Sequence, residues 1–391
     1  MRPVVPKTAR AAFKVREKHG TIKRSTFAGC GRFAGMDLMT LTEIRRAAQN
    51  GSISARVHVQ VESAAAKTTR DGKPYCELAL ADACDRMTLR VWSDHPAYKT
   101  CSGLAPDSFI ELSSEFHKHP HYGLEAETNK WTVRPLTDQE KNELLLGPAD
   151  LRAKQAADWE FITQTVQTIF DPRLRALCEV FLKEYGDRFR RTAAARKYHH
   201  ARRGGLVEHT GQMMRIGKAI APLYPQLNID LLIAGILFHD SGKLWENQFS
   251  ETGFIMGYDE IGELVGHISI GIELVNSLWQ KLSVENAEAW KGLVPDSKDV
   301  RLHLLHLIGA HHREHQFGSP VVPKTPEAMA LHYIDDLDSK LEMFATGYAN
   351  AQSLAARIFD RVRPLPGNLV KSLEKFQQSS DTKAPAEREL L

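Results

Sequence analysis

The hydrophobic period of this chain changes once, from two to 3.6, and that change constrains its architecture more than any other feature. From Ser52 onward, Ile53, Ala55, Val57, Val59 and Val61 alternate with Ser54, Arg56, His58, Gln60 and Glu62, as a strand with one buried face requires. The turn-rich run Thr69-Arg70-Asp71-Gly72 leads into a second strand over 73–81, and a polar break at 82–85 precedes a third over 86–92. A short helical piece near 95–100 is followed by strand candidates at 108–117 and 122–134. Beyond Arg134-Pro135 the spacing is helical, with candidates at 156–170, 172–189, 206–223, 230–239, 261–282, 300–311, 326–348 and 368–377.

Strands first and helices afterwards imply separate units, and 391 residues suffice for two or three, each with its own core. Five strands with a helix between the third and fourth is the order of an OB-fold barrel. The expected layout is therefore a small all-β OB-fold barrel over 36–136, a polar linker over 137–155, and an all-α helical bundle over 156–378. A disordered tail is expected at 379–391.

Residues 1–35 carry nine Lys or Arg against the single acid Glu17 and show no apolar period. They read as a basic, disordered arm, with RNA binding and a later start at Met36 as the competing explanations. No apolar run approaches the length of a membrane span. Five scattered cysteines without a CxxC pair fit reduced thiols in a cytoplasmic protein.

Eleven of the 17 histidines fall between His199 and His332. Packing does not call for such a concentration, whereas imidazoles and carboxylates converging from several helices can hold divalent metal ions. The apolar run 231–238 ends in His239 and Asp240, within LFHDSGKL. Together GGLVEHT, LFHDSGK and LHYIDDLDSK resemble the HD superfamily of metal-dependent phosphohydrolases, whose pattern is a His, an adjacent His-Asp pair and a distant Asp on a later helix. With the flanks YHHARRGGLVEHT, VGHI and LIGAHHREHQFGSPVVPKTPEAMALHYIDDLDSK and the preceding barrel, the chain resembles the YhaM type of 3′-to-5′ exoribonuclease over roughly 52–343.

That resemblance implies His209, His239, Asp240 and Asp335 as ligands of a first metal ion. It implies His267, His311 and His312 as the additional histidines of two-metal members, with Asp240 placed to bridge. The resemblance implies Asp335 rather than Asp336 or Asp338, because the family's Asp opens a D-x-x-D pattern, which Asp335 and Asp338 satisfy. Asp240 and Lys243 are the catalytic candidates, Lys243 for the scissile phosphate. Ser241 stands where the family usually has an aliphatic residue. His303 and His306 read as an ordinary helix face, and in HKHPH the proline favours a turn over a metal-binding strand.

A polyanionic substrate fits the charge pattern. Residues 188–203 contain seven cations and no acid, among them Arg196, Lys197, Arg202 and Arg203. In the barrel, GKPYCELALADACDRMTLRVW resembles the nucleic-acid-binding OB-fold family related to anticodon-binding domains of some tRNA synthetases. Lys73, Tyr75, Arg86, Arg90 and Trp92 are its candidate contacts, although barrel packing is the first expectation for Trp92. The expected function is a metal-dependent 3′-to-5′ exoribonuclease acting on single-stranded RNA, with single-stranded DNA left open. The expected cofactor is one or two divalent ions, and the resemblance implies manganese. A nucleotide phosphohydrolase and a nucleic-acid-binding regulator with an inactive metal site are the alternatives. The sequence does not determine the oligomeric state.

Overall fold

The computed structural model describes residues 36–49, 51–119, 123–127, 131–374 and 376. The expected N-terminal arm and C-terminal tail lie outside these residues. The described chain from Asp37 onward belongs to one compact unit.

A helix that the sequence reading did not anticipate comes first. Helix α1 (Leu41–Ala47) starts from a capping box between Thr40 and Glu43, and it buries Leu41 and Ile44 in the barrel core. Then come β1 (Ile53–Thr68), β2 (Pro74–Ala81), β3 (Arg86–Trp92), helix α2 (Tyr98–Ser102), β4 (Phe109–His119), β5 (Gly123–Ala126) and β6 (Thr132–Pro135). All pairings are antiparallel, in the order β3-β2-β1-β4-β5 with β6 also on β4. The outer strands β3 and β5 come into contact and nearly close the barrel. The strand expected over 122–134 is two strands, because β4 pairs one end with β5 (Phe116 opposite Ala126) and the other with β6 (Ile110 opposite Pro135).

Alternation decides what fills the barrel. Cys76, Leu78 and Leu80 on β2 and Met87, Leu89 and Val91 on β3 point inward, so Tyr75 and Trp92 face outward as a cross-strand pair. Core packing of Trp92 is therefore not observed: register places it on the outer face.

The helices are α3 (Asp138–Leu146), α4 (Ala149–Gln167), α5 (Pro172–Phe189), α6 (Gly205–Ile220), α7 (Ile229–Phe238), α8 (Lys243–Glu246), α9 (Glu260–Val265), α10 (His267–Glu285), α11 (Ala287–Trp290), α12 (Ser297–Ala310) and α13 (Pro326–Asn350). Helix α7 is the axis of the bundle: every residue from Leu231 to Phe238 is buried. The stretch 137–155, expected as a linker, is helical. Thr137 and Glu140 cap α3, and α4 begins at Ala149 so that Asp158, Ile162 and Val166 can be buried against the bundle. The single helix expected over 261–282 is broken at Gly266, whose φ of +74° leaves the helical region and lets α10 begin afresh at His267. No helix forms among the described residues of 368–377, where one is expected. There, β7 (Ser353–Ala355), β8 (Ile358–Phe359) and β9 (Leu369–Val370) form a small sheet that buries Leu369 against Met343 and Leu365. Among the described residues no helix is long and apolar enough to cross a membrane. Cys76, Cys84, Cys101 and Cys178 are free thiols, and Cys30 lies outside the described residues.

The loop after α8 joins bundle to barrel. Phe254 is 1% exposed, packs with Ala81 and Ala83, donates its backbone N–H to Gln60 Oε1 and accepts from Arg86 through its carbonyl at 3.2 Å. Phe254→Ala should cost about 3–5 kcal/mol through the lost apolar volume, read as a lower denaturant midpoint in equilibrium unfolding. A midpoint equal to that of the parent protein would mean that this joint does not contribute to stability.

Candidate metal centre

Helix ends supply the first part of the site. The last carbonyls of a helix lack intrahelical partners, and α7 and α12 both satisfy one with a histidine just past the helix. His239 Nδ1–H donates to the Ile236 carbonyl and His311 Nδ1–H donates to the Ile308 carbonyl, each at 2.8 Å. A carbonyl can only accept, so each ring carries its proton on Nδ1 and presents the Nε2 lone pair beyond the helix end. Helix C-termini also favour positive charge.

The other histidines are held in the same way. His312 Nδ1–H donates to the Phe317 carbonyl at 2.7 Å, His267 Nδ1 is 2.7 Å from Glu246 Oε2, and His209 Nδ1 is 2.7 Å from Asp338 Oδ2. Glu246 and Asp338 thus orient these two imidazoles through Nδ1, as carboxylates do behind metal-bound imidazoles. The D-x-x-D spacing places Asp335 and Asp338 on opposite edges of one ring: Asp335 Oδ1 is 3.2 Å from His209 Nε2, while Asp338 holds Nδ1. Sequence reasoning missed Glu246, which carries no motif because its partner lies 21 residues on.

Asp240 stands at the middle. Its Oδ2 is 3.2 Å from His239 Nε2, 4.0 Å from His209 Nε2 and 2.7 Å from Lys243 Nζ, while its Oδ1 is 3.7 Å from both His267 Nε2 and His311 Nε2. One carboxylate therefore faces two histidine sets with different oxygens. The groups His209, His239, Asp240 and His267, His311, His312 each place their ligand atoms within 4.8 Å of one another. Nε2 of His209, His239, His267 and His311 and Oδ1 of Asp240 are buried without a hydrogen bond. Unpartnered ring nitrogens and a carboxylate oxygen, converging from four segments, fit one or two divalent cations.

The electrostatics agree. Burial acts to raise the Asp240 carboxyl, but Lys243 and His239 hold it well below the usual range. Burial also acts to raise Asp335, and His209 outweighs it, holding Asp335 below that range. Burial acts to lower His209, yet Asp335 and Asp338 bring it up to about 9. His311 is held well below its ordinary value by burial and then by His312, so it stays neutral and able to ligate. Gly242 lets the two parts meet: a Cβ there would lie 1.9 Å from the His267 carbonyl oxygen. The accessible side is marked by Asp335, His267 and Lys243, whose side chains are 17%, 13% and 10% exposed, whereas His209, His239 and His311 are fully buried.

His303 and His306 stand apart from this centre. His306 Nε2 accepts the Lys324 N–H at 2.9 Å, and His303 lines a separate surface cavity. In HKHPH, β4 continues through His119, with His117 opposite Glu125, and Pro120 and His121 lie outside the described residues. Neither described histidine belongs to a ligand group.

The expected nucleic-acid contacts divide. Tyr75, Arg90 and Trp92 line a groove of about 380 Å³ with Trp131 at the seam between β3 and β5, and Lys73 sits 5.1 Å over the Trp92 ring. Arg86, Arg196, Arg202 and Arg203 each have partners within the protein. Arg86 pairs with Glu62 at 2.8 Å and binds the Phe254 carbonyl. Arg196 donates to the carbonyls of Glu246 and Gly257 at 2.7 Å, Arg202 pairs with buried Glu208 at 2.6 Å, and Arg203 donates to the carbonyls of Ser250 and Gly253. Arg196, Arg202 and Arg203 hold the α5–α6 loop in place by giving carbonyl and carboxylate oxygens elsewhere in the bundle a donor. Lys197 is exposed, beside a cleft of about 520 Å³ between barrel and bundle.

Fold and site together define a helical metal-site protein with a barrel in front. A family model described as HD domain matches residues 206–340. The 3′-5′ exoribonuclease YhaM of Bacillus subtilis (strain 168) is 30% identical over 292 residues, covering 73% of this chain and 85% of that relative. The protein of the same name from Bacillus licheniformis is 31% identical over 291 residues with the same coverage. The chain belongs to the YhaM family of 3′-5′ exoribonucleases.

Asp338→Asn keeps the shape of the side chain but removes the charge behind His209. Manganese titrated calorimetrically into this variant should bind about 10–100-fold more weakly than to the parent protein. Affinity within twofold of the parent would show that Asp338 does not support a ligand.

Proposed function

We infer that this protein is a metal-dependent 3′-5′ exoribonuclease that shortens single-stranded RNA, with manganese as its metal and a cytoplasmic location. The observation that carries this reading is the buried set of unpartnered Nε2 atoms around Asp240, in a chain whose relatives bear that name. His209, His239, Asp240 and Asp335 would hold one ion, and Asp240, His267, His311 and His312 a second.

Bound divalent ions supply an acidified water and neutralise phosphoryl oxygens during in-line displacement. The chain's own groups do the rest. Asp240 remains a carboxylate between the two histidine sets and fixes their spacing. Lys243, 2.7 Å from Asp240 Oδ2 and on the accessible side, is placed to meet the scissile phosphate. With His209, His239 and His311 buried, the partly exposed Asp335, His267 and Lys243 mark a side from which substrate could approach.

A polymer is favoured over a free nucleotide because the barrel offers an aromatic groove that a single nucleotide does not need. Outward Tyr75 and Trp92, with Lys73 above the indole, form a stacking platform beside the cation Arg90. The free thiols fit a reducing compartment.

With manganese and a 5′-labelled single-stranded RNA, the protein should give a ladder shrinking from the 3′ end, and Asp240→Ala should lower the rate by at least about a thousandfold. RNA that both forms bind but leave intact would favour a regulatory binding protein instead. Trp92→Ala should weaken RNA binding by about 1–3 kcal/mol in a filter-binding titration while hydrolysis of a dinucleotide stays unchanged. Unaltered RNA affinity would remove the barrel groove from substrate binding.

A further inference from the structure

One imidazole beside the centre belongs to neither ligand set. The His199 ring lies 5.4 Å from that of His209, within electrostatic reach of Lys243, Asp335 and Asp240. Among the described residues it joins no group whose ligand atoms lie within 4.8 Å of one another. The ligand imidazoles each use Nδ1 on an acceptor of the protein, but Nδ1 of His199 is buried with no hydrogen-bond partner. Leaving such a group unsatisfied is unfavourable, so its position calls for a partner that arrives with substrate.

The backbone gives a second, independent sign. His200, the next residue, has a φ of +46°, in the left-handed region that a side chain other than glycine seldom adopts. Two contacts keep it there: its Nε2 lies 3.0 Å from Asp338 Oδ2, and its carbonyl accepts the Arg202 N–H at 2.9 Å. Asp338 is also the group that orients His209. A single carboxylate therefore ties the turn carrying His199 to a ligand of the metal centre, and the strain in that turn fixes where His199 stands.

We propose that His199 is a substrate contact, which donates a ring hydrogen bond to a non-bridging oxygen of the scissile phosphate alongside Lys243. This rests on the nuclease reading above. The incoming group is an anion at a cationic centre, and an N–H donor is what such an oxygen takes up. Apart from Lys243, the groups that mark the accessible side are prospective metal ligands, so His199 adds a contact that a ligand cannot make.

The test compares the parent protein with His199→Ala and His199→Asn, the latter offering an amide N–H near the position of Nδ1. Single-turnover cleavage of a labelled single-stranded RNA with manganese is measured beside calorimetric manganese affinity and circular dichroism. For His199→Ala, kcat/KM should fall roughly tenfold to a hundredfold, with manganese affinity within twofold of the parent and partial recovery in His199→Asn. A phosphorothioate at the scissile linkage should slow the parent more than it slows His199→Ala. Cleavage unchanged in His199→Ala would overturn the contact. So would a loss matched by an equal loss of metal affinity, which would make His199 a support of the ligands. A parent protein that leaves the RNA intact would instead sink the nuclease reading, and the contact with it.

Discussion

The centre depends on where the imidazole protons sit. His209, His239, His267, His311 and His312 each have Nδ1 against an acceptor that the fold provides: Asp338, the Ile236 carbonyl, Glu246, the Ile308 carbonyl and the Phe317 carbonyl. With Nδ1 so engaged, Nε2 is the atom left to face the cluster. Without that constraint each ring could turn its proton inward, and the lone pairs would not converge. Two of the five acceptors are backbone carbonyls at helix ends that would otherwise lack a partner. The same hydrogen bonds therefore finish helices α7 and α12 and aim their histidines.

Burial makes this arrangement costly unless positive charge is supplied. Asp240 and Asp335 are held ionised inside the protein by Lys243 and by the imidazoles around them. In the absence of a metal ion, protons must do that work, and His209 is raised to about 9 for this reason. A divalent cation can take the place of such a proton and satisfy several orphaned acceptors at once. Behind His209 the neutralisation continues: Glu208 is fully buried and pairs with Arg202 and Lys154 at 2.6 and 3.0 Å. The first turns of α4, expected to belong to a linker, thus contribute Lys154 to the support of the helix that carries His209.

Parts of this were legible in the sequence and parts were not, for physical reasons. Alternation and helical spacing marked the barrel and most of the bundle, and adjacency made His239-Asp240 conspicuous at the end of an apolar helix. What depends on partners distant in sequence was not legible. The cations at 188–203 could be counted, but Arg196 and Arg203 find backbone carbonyls 50 residues on and Arg202 finds Glu342 140 residues on. Glu246 and His199 have no spacing signature, and their surroundings exist only after α8, α10 and the α5–α6 loop have come together. Trp92 was misjudged by size: a large aromatic suits a barrel interior, but pairing with Tyr75 across β2 and β3 puts both rings on the outer face.

The joint between barrel and bundle carries a further consequence. Arg86 lies on the strand that also bears Arg90 and Trp92, and it binds the Phe254 carbonyl, while Gln60 on β1 takes the backbone N–H of the same residue. That loop follows α8, whose Lys243 touches Asp240 and whose Glu246 holds His267. A short run of chain therefore connects the aromatic groove to two groups of the metal centre. If the groove and the centre act on one strand of RNA, their separation is fixed by this run rather than by a flexible tether, so grip at the barrel sets which phosphate can reach Asp240. Rigid spacing of this kind suits stepwise removal of nucleotides, because each advance of the strand presents the next phosphate to the same ligands.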